Sequence, residues 1–126
     1  MIEPQTSAAE SVVRALFDAF VARCREKAEQ LLSDDFTFTS PYDDGINRDA
    51  FFTRCWPNGD RFVEFQIERA AATPDGVFVT YSCTTDEKKS FHNTEFLTVQ
   101  GGRVTSTEVY FGATYCDGEF VSQPLS

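Results

Sequence analysis

Two β-rich runs, from His92 to Val99 and from Arg103 to Gly112, stand on either side of Gly101-Gly102, and no other feature constrains the fold of this chain as tightly. Paired glycines accept the positive φ angles of a tight hairpin turn, so the two runs are expected to pair antiparallel. A sheet with one wet face would alternate cleanly between apolar and polar residues. Neither run does. Phe96 alternates in step with His92 and Thr94, Leu97 and Val99 with Glu95, and Phe111 with Val109. Both faces therefore read as partly covered, one by a pocket and the other by a partner, as in a small ligand-binding domain.

The rest of the chain supplies elements to cover that sheet. Ser7-x-x-Glu10 reads as a helix start, and Val13, Leu16, Phe17, Phe20, Val21 and Cys24 recur at helical spacing behind it. A short helix from Glu26 to Leu32 follows, closed by Asp34-Asp35, and then Phe36-Thr37-Phe38-Thr39 alternates as a strand. Ser40-Pro41-Tyr42-Asp43-Asp44-Gly45 reads as a loop. Asn47 is placed to cap a third helix that carries Phe51, Phe52, Cys55 and Trp56 on one face and stops at Pro57-Asn58-Gly59. Strands are expected over 61–72, 77–85, 90–100 and 103–115, with turns at Pro74-Asp75-Gly76, Asp86 to Lys89 and Gly101-Gly102.

Composition bounds the function classes. A chain of 126 residues, 41% hydrophobic with 13 Phe, is expected to form one domain over 1–126 with a real core. A net charge of -9 opposes the phosphates of nucleic acid and the anionic face of a membrane, so neither is an expected partner. Cys24, Cys55, Cys83 and Cys116 form no Cys-x-x-Cys pair, which leaves a metal site unsupported, and the absence of a glycine-rich phosphate loop leaves no cofactor expected. Met1 to Ser7 lacks the pattern of a secretory leader and no apolar run is long enough to span a bilayer, so the expected location is the cytoplasm, with free thiols. Cys24 and Cys55 are expected in the core.

The order helix, helix, strand, helix and four antiparallel strands resembles the nuclear transport factor 2-like superfamily, and within it the ketosteroid isomerase-like and polyketide cyclase-like (SnoaL-like) proteins. Leu32-Ser33-Asp34-Asp35-Phe36-Thr37-Phe38, the Gly102-Arg103-Val104 turn and Glu108-Val109-Tyr110-Phe111 carry the resemblance. It implies an α+β, cone-shaped fold: about three N-terminal helices packed on a strongly curved, mostly antiparallel sheet that encloses a pocket. The superfamily hosts many activities on one scaffold, so the fold does not choose among them. Transferred residue by residue, the resemblance disfavours the two best-known activities. Ketosteroid isomerases place a carboxylate base before a proline after the first strand, where this chain has Ser40. Their oxyanion tyrosine and acid correspond to Leu16 or Phe17 and to Thr94. The cyclases' aspartate on the last long strand corresponds to Val109. The chain is therefore expected not to be a ketosteroid isomerase.

His92 is the sole histidine, and on the expected register it points into the cone with Thr94 and Phe96. It is the candidate acid-base group, with Asp43 and Asp44 at the cone mouth as candidate orienting partners. The alternatives are a solvent-exposed His92 beside Lys88 and Lys89, and a solvated Asp-Asp-Gly turn. Ser40, Tyr42, Trp56, Tyr81, Thr94, Phe96, Val109 and Phe111 are the candidate ligand-lining residues, with core packing as the alternative for the aromatic ones. Glu95 and Glu108 are expected together on the outer face near Tyr110, in contact with a second copy of the chain; the alternative is a pocket-facing pair of carboxyls that share a proton and divide the roles of acid and base. Two functions follow. One is a cofactor-independent isomerase, cyclase or lyase acting on a small apolar carbonyl compound; the other is a non-catalytic module for ligand binding or dimerisation. In both, the partners are a small apolar or polar-apolar molecule in the cone and a second copy on the outer sheet face.

Overall fold

The computed structural model describes residues 7–121, so the reading of Met1 to Thr6 and both ends of the expected 1–126 domain lie outside the described residues. Helix α1 (Ala8–Val21) starts at Ser7, whose side chain accepts the Glu10 N–H at 3.0 Å. Glu10 does not reach back to complete the reciprocal cap but pairs with Arg14 one turn on. The stripe of Val13, Phe17 and Ala19 is buried, whereas Val21 is exposed. The helix ends with paired backbone bonds, Cys24 N to Ala19 O and Arg23 N to Phe20 O, around Arg23 at φ 57°. Glycine usually takes this left-handed position.

Helix α2 (Arg25–Leu31) runs directly into β1 (Leu32–Ser40). Asp34-Asp35, expected to close the helix, lies inside β1, where the two side chains face solvent between buried Leu32 and Phe36. The expected 40–45 loop is instead a tight reversal into β2 (Asp43–Asn47), with Phe38 opposite Ile46 and Ser40 opposite Asp43. Asn47 caps α3 (Arg48–Arg54) by accepting the Ala50 N–H at 2.9 Å, and a 3-10 helix over Trp56–Arg61 follows. The strands β3 (Phe62–Ala72), β4 (Val77–Thr85), β5 (Lys89–Gln100) and β6 (Arg103–Cys116) match their expected bounds to within about a residue. A short β7 (Glu119–Val121) returns on β6 through Asp117-Gly118, both at positive φ.

The sheet order is β2-β1-β6-β5-β4-β3, with β7 also on β6; β1 lies parallel to β6 and the other pairs are antiparallel. Register shifts interrupt the β1–β6, β3–β4 and β5–β6 ladders. Such bulges increase twist and bend a sheet, and this one curls around the helices as the expected cone.

The alternation of β4 fixes which face looks inward. Val77, Val79, Tyr81 and Cys83 are buried, and opposite them on β5 stand Leu97, Glu95, Asn93 and Phe91. The other set, Phe78, Thr80, Ser82 and Thr84, faces Phe96, Thr94, His92 and Ser90. The expected orientation of β5 is thus reversed: His92, Thr94 and Phe96 look outward and Glu95 looks inward. Glu95 pairs with Val109 and Glu108 with Phe96, so the two carboxyls lie on opposite faces. Leu97, only 1% exposed, belongs to the core and not to an outer interface. Cys24 is also corrected: it precedes α2 and is exposed, while Cys83 is the fully buried thiol.

Candidate functional site

Inside the curl lies a cavity of about 630 Å³, within the range of sites that enclose small molecules. Aromatic rings form much of its wall. Phe17 and Phe20 come from α1, Phe36 and Phe38 from β1, Phe51 from α3, Phe62 and Phe65 from β3, and Phe91 and Phe111 from the closing strands. Rings contact one another around the wall, with Phe65 stacked on Tyr81 at 4.8 Å between centroids and Phe20 edge-on to Trp56 at 5.3 Å. Arg23 holds the Trp56 side. Its guanidinium lies 4.5 Å from the Trp56 ring and 5.0 Å from Phe20, donates to the Trp56 carbonyl at 2.6 Å and pairs with Asp60 at 2.8 Å. Those contacts offset the strain of a non-glycine residue at positive φ.

Two polar corners interrupt the apolar wall. At the first, the Gly112 N–H donates to Asn93 Oδ1 (3.4 Å), Asn93 Nδ2 donates to the Tyr81 hydroxyl (3.2 Å), and that hydroxyl donates to Glu95 Oε2 (2.7 Å). Glu95 Oε1 has no hydrogen-bond partner among the described residues and opens to the cavity. The side chain borders the cavity and is enclosed by the surrounding protein. Burial raises its pKa to about 7, against a smaller lowering by the Tyr81 hydrogen bond. Tyr81 is itself held well above its ordinary range, first by burial and then by the neighbouring Glu95.

At the second corner, Asp43 is drawn in until its side chain is 7% exposed. Ser40 donates to its Oδ2 at 3.1 Å, and the Cys55 thiol approaches the same oxygen at 3.7 Å. Arg54 Nη2 stands 2.7 Å from Oδ1, but out of line for a directed hydrogen bond, so this contact is one of charge alone. Burial pushes the Cys55 thiol up to about 12, with the charge of Asp43 as the next cause and that of Glu95 a smaller one. The thiol is kept protonated between the two carboxyls and is a poor nucleophile. At the mouth, Arg61 and Lys89 are both paired with Glu87.

Of the residues singled out in the sequence, Ser40, Tyr42, Asp43, Trp56, Tyr81, Val109 and Phe111 line the cavity. Asp44 is exposed and does not. His92 is exposed on the outer face, its Nε2 3.2 Å from Glu68 Oε1. Thr94 shares a hydrogen bond with Thr80 at 2.8 Å, and Phe96 packs on Phe78, also outside. Polar residues that also line the cavity include Asn93, Glu95, Cys55 and Thr107. The clean alternation of β4, carried across the antiparallel turn, is the sequence signal that would have placed Asn93 and Glu95 there. Among the described residues no three His, Cys, Asp or Glu side chains are grouped to hold a metal ion, and no helix is long and apolar enough to cross a membrane.

Comparison with known proteins agrees with this architecture. A protein from Kribbella flavida DSM 17836 superposes with a TM-score of 0.78 at 22% identity, over 84% of this chain and 88% of that one. An LEH-like epoxide hydrolase from M. tuberculosis gives 0.68 at 21% identity over 86% and 85%. A steroid delta-isomerase from Pseudomonas aeruginosa gives 0.69 at 17% identity over 87% and 83%. At these identities the likeness is one of fold. No curated protein matches the sequence. The SnoaL-like domain model matches residues 13–107, from the first buried turn of α1 to the middle of β6, and the chain belongs to the SnoaL-like domain family within the nuclear transport factor 2-like fold.

Proposed function

We propose that this domain binds a small, mainly apolar carbonyl compound in its cone and moves a proton on it without a cofactor, as an isomerase, cyclase or lyase does, with Glu95 as the acid-base residue. One observation carries the reading: an aromatic cavity holds a carboxyl whose pKa lies near 7 and whose free oxygen opens to the ligand space. Such a group is populated in both protonation states at neutral pH, the condition for taking a proton from one atom and returning it to another. Asp43, tied to Ser40 and Arg54, anchors the second polar corner of the same cavity. His92 has no part in this chemistry, because its ring is on the other side of the sheet.

The test uses naphthyl methyl ketone, a neutral aromatic body with one carbonyl. In D2O the Glu95 carboxylate takes a proton from the carbon beside the carbonyl, exchanges it with solvent and returns a deuteron. Exchange followed by NMR should rise with pH through about 7 and fall on the order of a hundred-fold or more in Glu95→Gln, the range expected for loss of an acid-base group. Saturable binding with no exchange beyond the buffer rate would favour the non-catalytic binding module instead. Absence of binding would remove both readings.

The outer face supports a second copy as partner. Phe78 and Tyr110 are exposed on the face that carries Phe96, an aromatic patch bordered by threonines, serines and Glu108, which accepts the Tyr110 hydroxyl. Sedimentation should give about twice the 14.2 kDa chain mass, and Phe96→Lys should shift it toward one chain. A wild-type monomer at micromolar concentration would reject the dimer.

A further inference from the structure

We infer that Asn93 is a positioning residue: it fixes the direction in which the Tyr81 hydroxyl points, so that Glu95 Oε2 can only accept and the proton of the neutral acid is carried on Oε1, facing the cavity. The inference deepens the proposed role of Glu95 and rests on it.

The chain of donors has only one consistent direction. The Gly112 amide at the β6 bulge is a donor and nothing else, so the Asn93 atom facing it, at 3.4 Å, is the carbonyl oxygen. The Asn93 NH2 is thereby turned to the Tyr81 oxygen, 3.2 Å away. Having received a donor there, the Tyr81 hydroxyl keeps its own hydrogen for an acceptor, and Glu95 Oε2 stands 2.7 Å off. Were Glu95 to carry its proton on Oε2, that hydrogen and the Tyr81 hydrogen would compete for one gap, and one buried donor would be left unpaired. On Oε1 the proton meets no such competitor among the described residues. Asn93 itself is 9% exposed and packed beside Phe111, its partner across the ladder, so the amide has little room to turn. Asn93 is not a catalytic residue in this account, since it acts on the ligand only through Tyr81 and Glu95.

Infrared difference spectra recorded between acid and alkaline pH on the full chain, with the Glu95 bands assigned by their loss in Glu95→Gln, test the arrangement without a ligand. The wild type should show one protonated-carboxyl band at the lowered frequency of a carbonyl that accepts a hydrogen bond. In Tyr81→Phe a single band should move up. In Asn93→Leu, of similar size but without a donor, the hydroxyl is free to take either direction. Two bands should then appear, with proton affinity raised roughly five-fold, the worth of about one ordinary hydrogen bond. Asn93→Ser, too short to reach Tyr81, should give the same two bands and serves if Asn93→Leu does not fold. A merely structural role would lower stability and leave one unshifted band. That result, with an unchanged midpoint, would overturn the role of Asn93 while leaving Glu95 in place. A wild-type Glu95 that titrates in the ordinary carboxylate range would overturn both readings.

Discussion

The wild-type protein should lose about 2–3 kcal/mol of folding stability as pH rises from about 4.5 to about 7, and Glu95→Gln should not show this loss. In the unfolded chain the carboxyl titrates at its ordinary value; in the folded chain burial holds the proton until about 7. Between the two values the folded state binds one proton more than the unfolded state, so stability falls with pH throughout that window. Below it the contribution is fully present, and above it the penalty for an ionised, buried carboxyl is complete. The full shift corresponds to about 3 kcal/mol, part of which solvent screening removes. Other groups also titrate. Glu87 is held below its usual range by Arg61 and has the opposite sign, but it is exposed and weighs little. Growing self-repulsion in a chain of net charge -9 affects both variants alike. The informative quantity is therefore the difference between variants. Urea unfolding at about pH 5 and about pH 8 should find Glu95→Gln more stable than wild type only at the higher pH. Parallel pH profiles would mean that Glu95 titrates as an exposed carboxyl does.

That carboxyl marks where the sequence stops being legible. Element type followed from local chemistry: Ser7 and Asn47 cap helices in the structure as their side chains suggest, and turn residues bound the four long strands. The fold class followed from element order. Facing did not follow from β5 itself, since Phe91, Asn93, Glu95 and Leu97 contain as many polar residues as a solvated set would, and Phe96 makes the outer set look buried. A pocket wall needs polar atoms and an outer patch exposes rings, so each face violates the alternation rule in its own way. Val77, Val79, Tyr81 and Cys83 on β4 carry no such conflict. The edge strands were hidden for a different reason. Asp43-Asp44-Gly45 has turn chemistry, with Gly45 at φ 59°, and only Ile46 gives β2 an apolar anchor. For β7 the Asp117-Gly118 pair is a hairpin signal at the end of an already long strand.

Gly112→Ala should be the most damaging small substitution in the β5–β6 hairpin, costing about 3 kcal/mol or more. Between the pairs Phe91–Thr114 and Asn93–Phe111, β6 spends two residues, Gly112 and Ala113, against His92 alone. The bulge presses Gly112 onto the opposite backbone. A Cβ there would overlap the His92 carbonyl oxygen and lie 3.1 Å from its carbon. Backbone cannot rotate away as a side chain can, so relief requires the two strands to separate, and the ladder bonds that flank the bulge weaken with them. The Gly112 N–H would move away from Asn93 in the same displacement, disturbing the Asn93–Tyr81–Glu95 chain from outside the cavity. Two controls isolate the contact. Ala113→Ser changes the neighbouring exposed residue, and His92→Ala keeps the carbonyl while removing the ring and its Glu68 pair; both should stay within about 0.5 kcal/mol of wild type. Should Gly112→Ala match those controls in urea unfolding, the bulge does not hold Gly112 against the His92 carbonyl. If His92→Ala proves as damaging as Gly112→Ala, the ring matters to this sheet more than its exposed position allows.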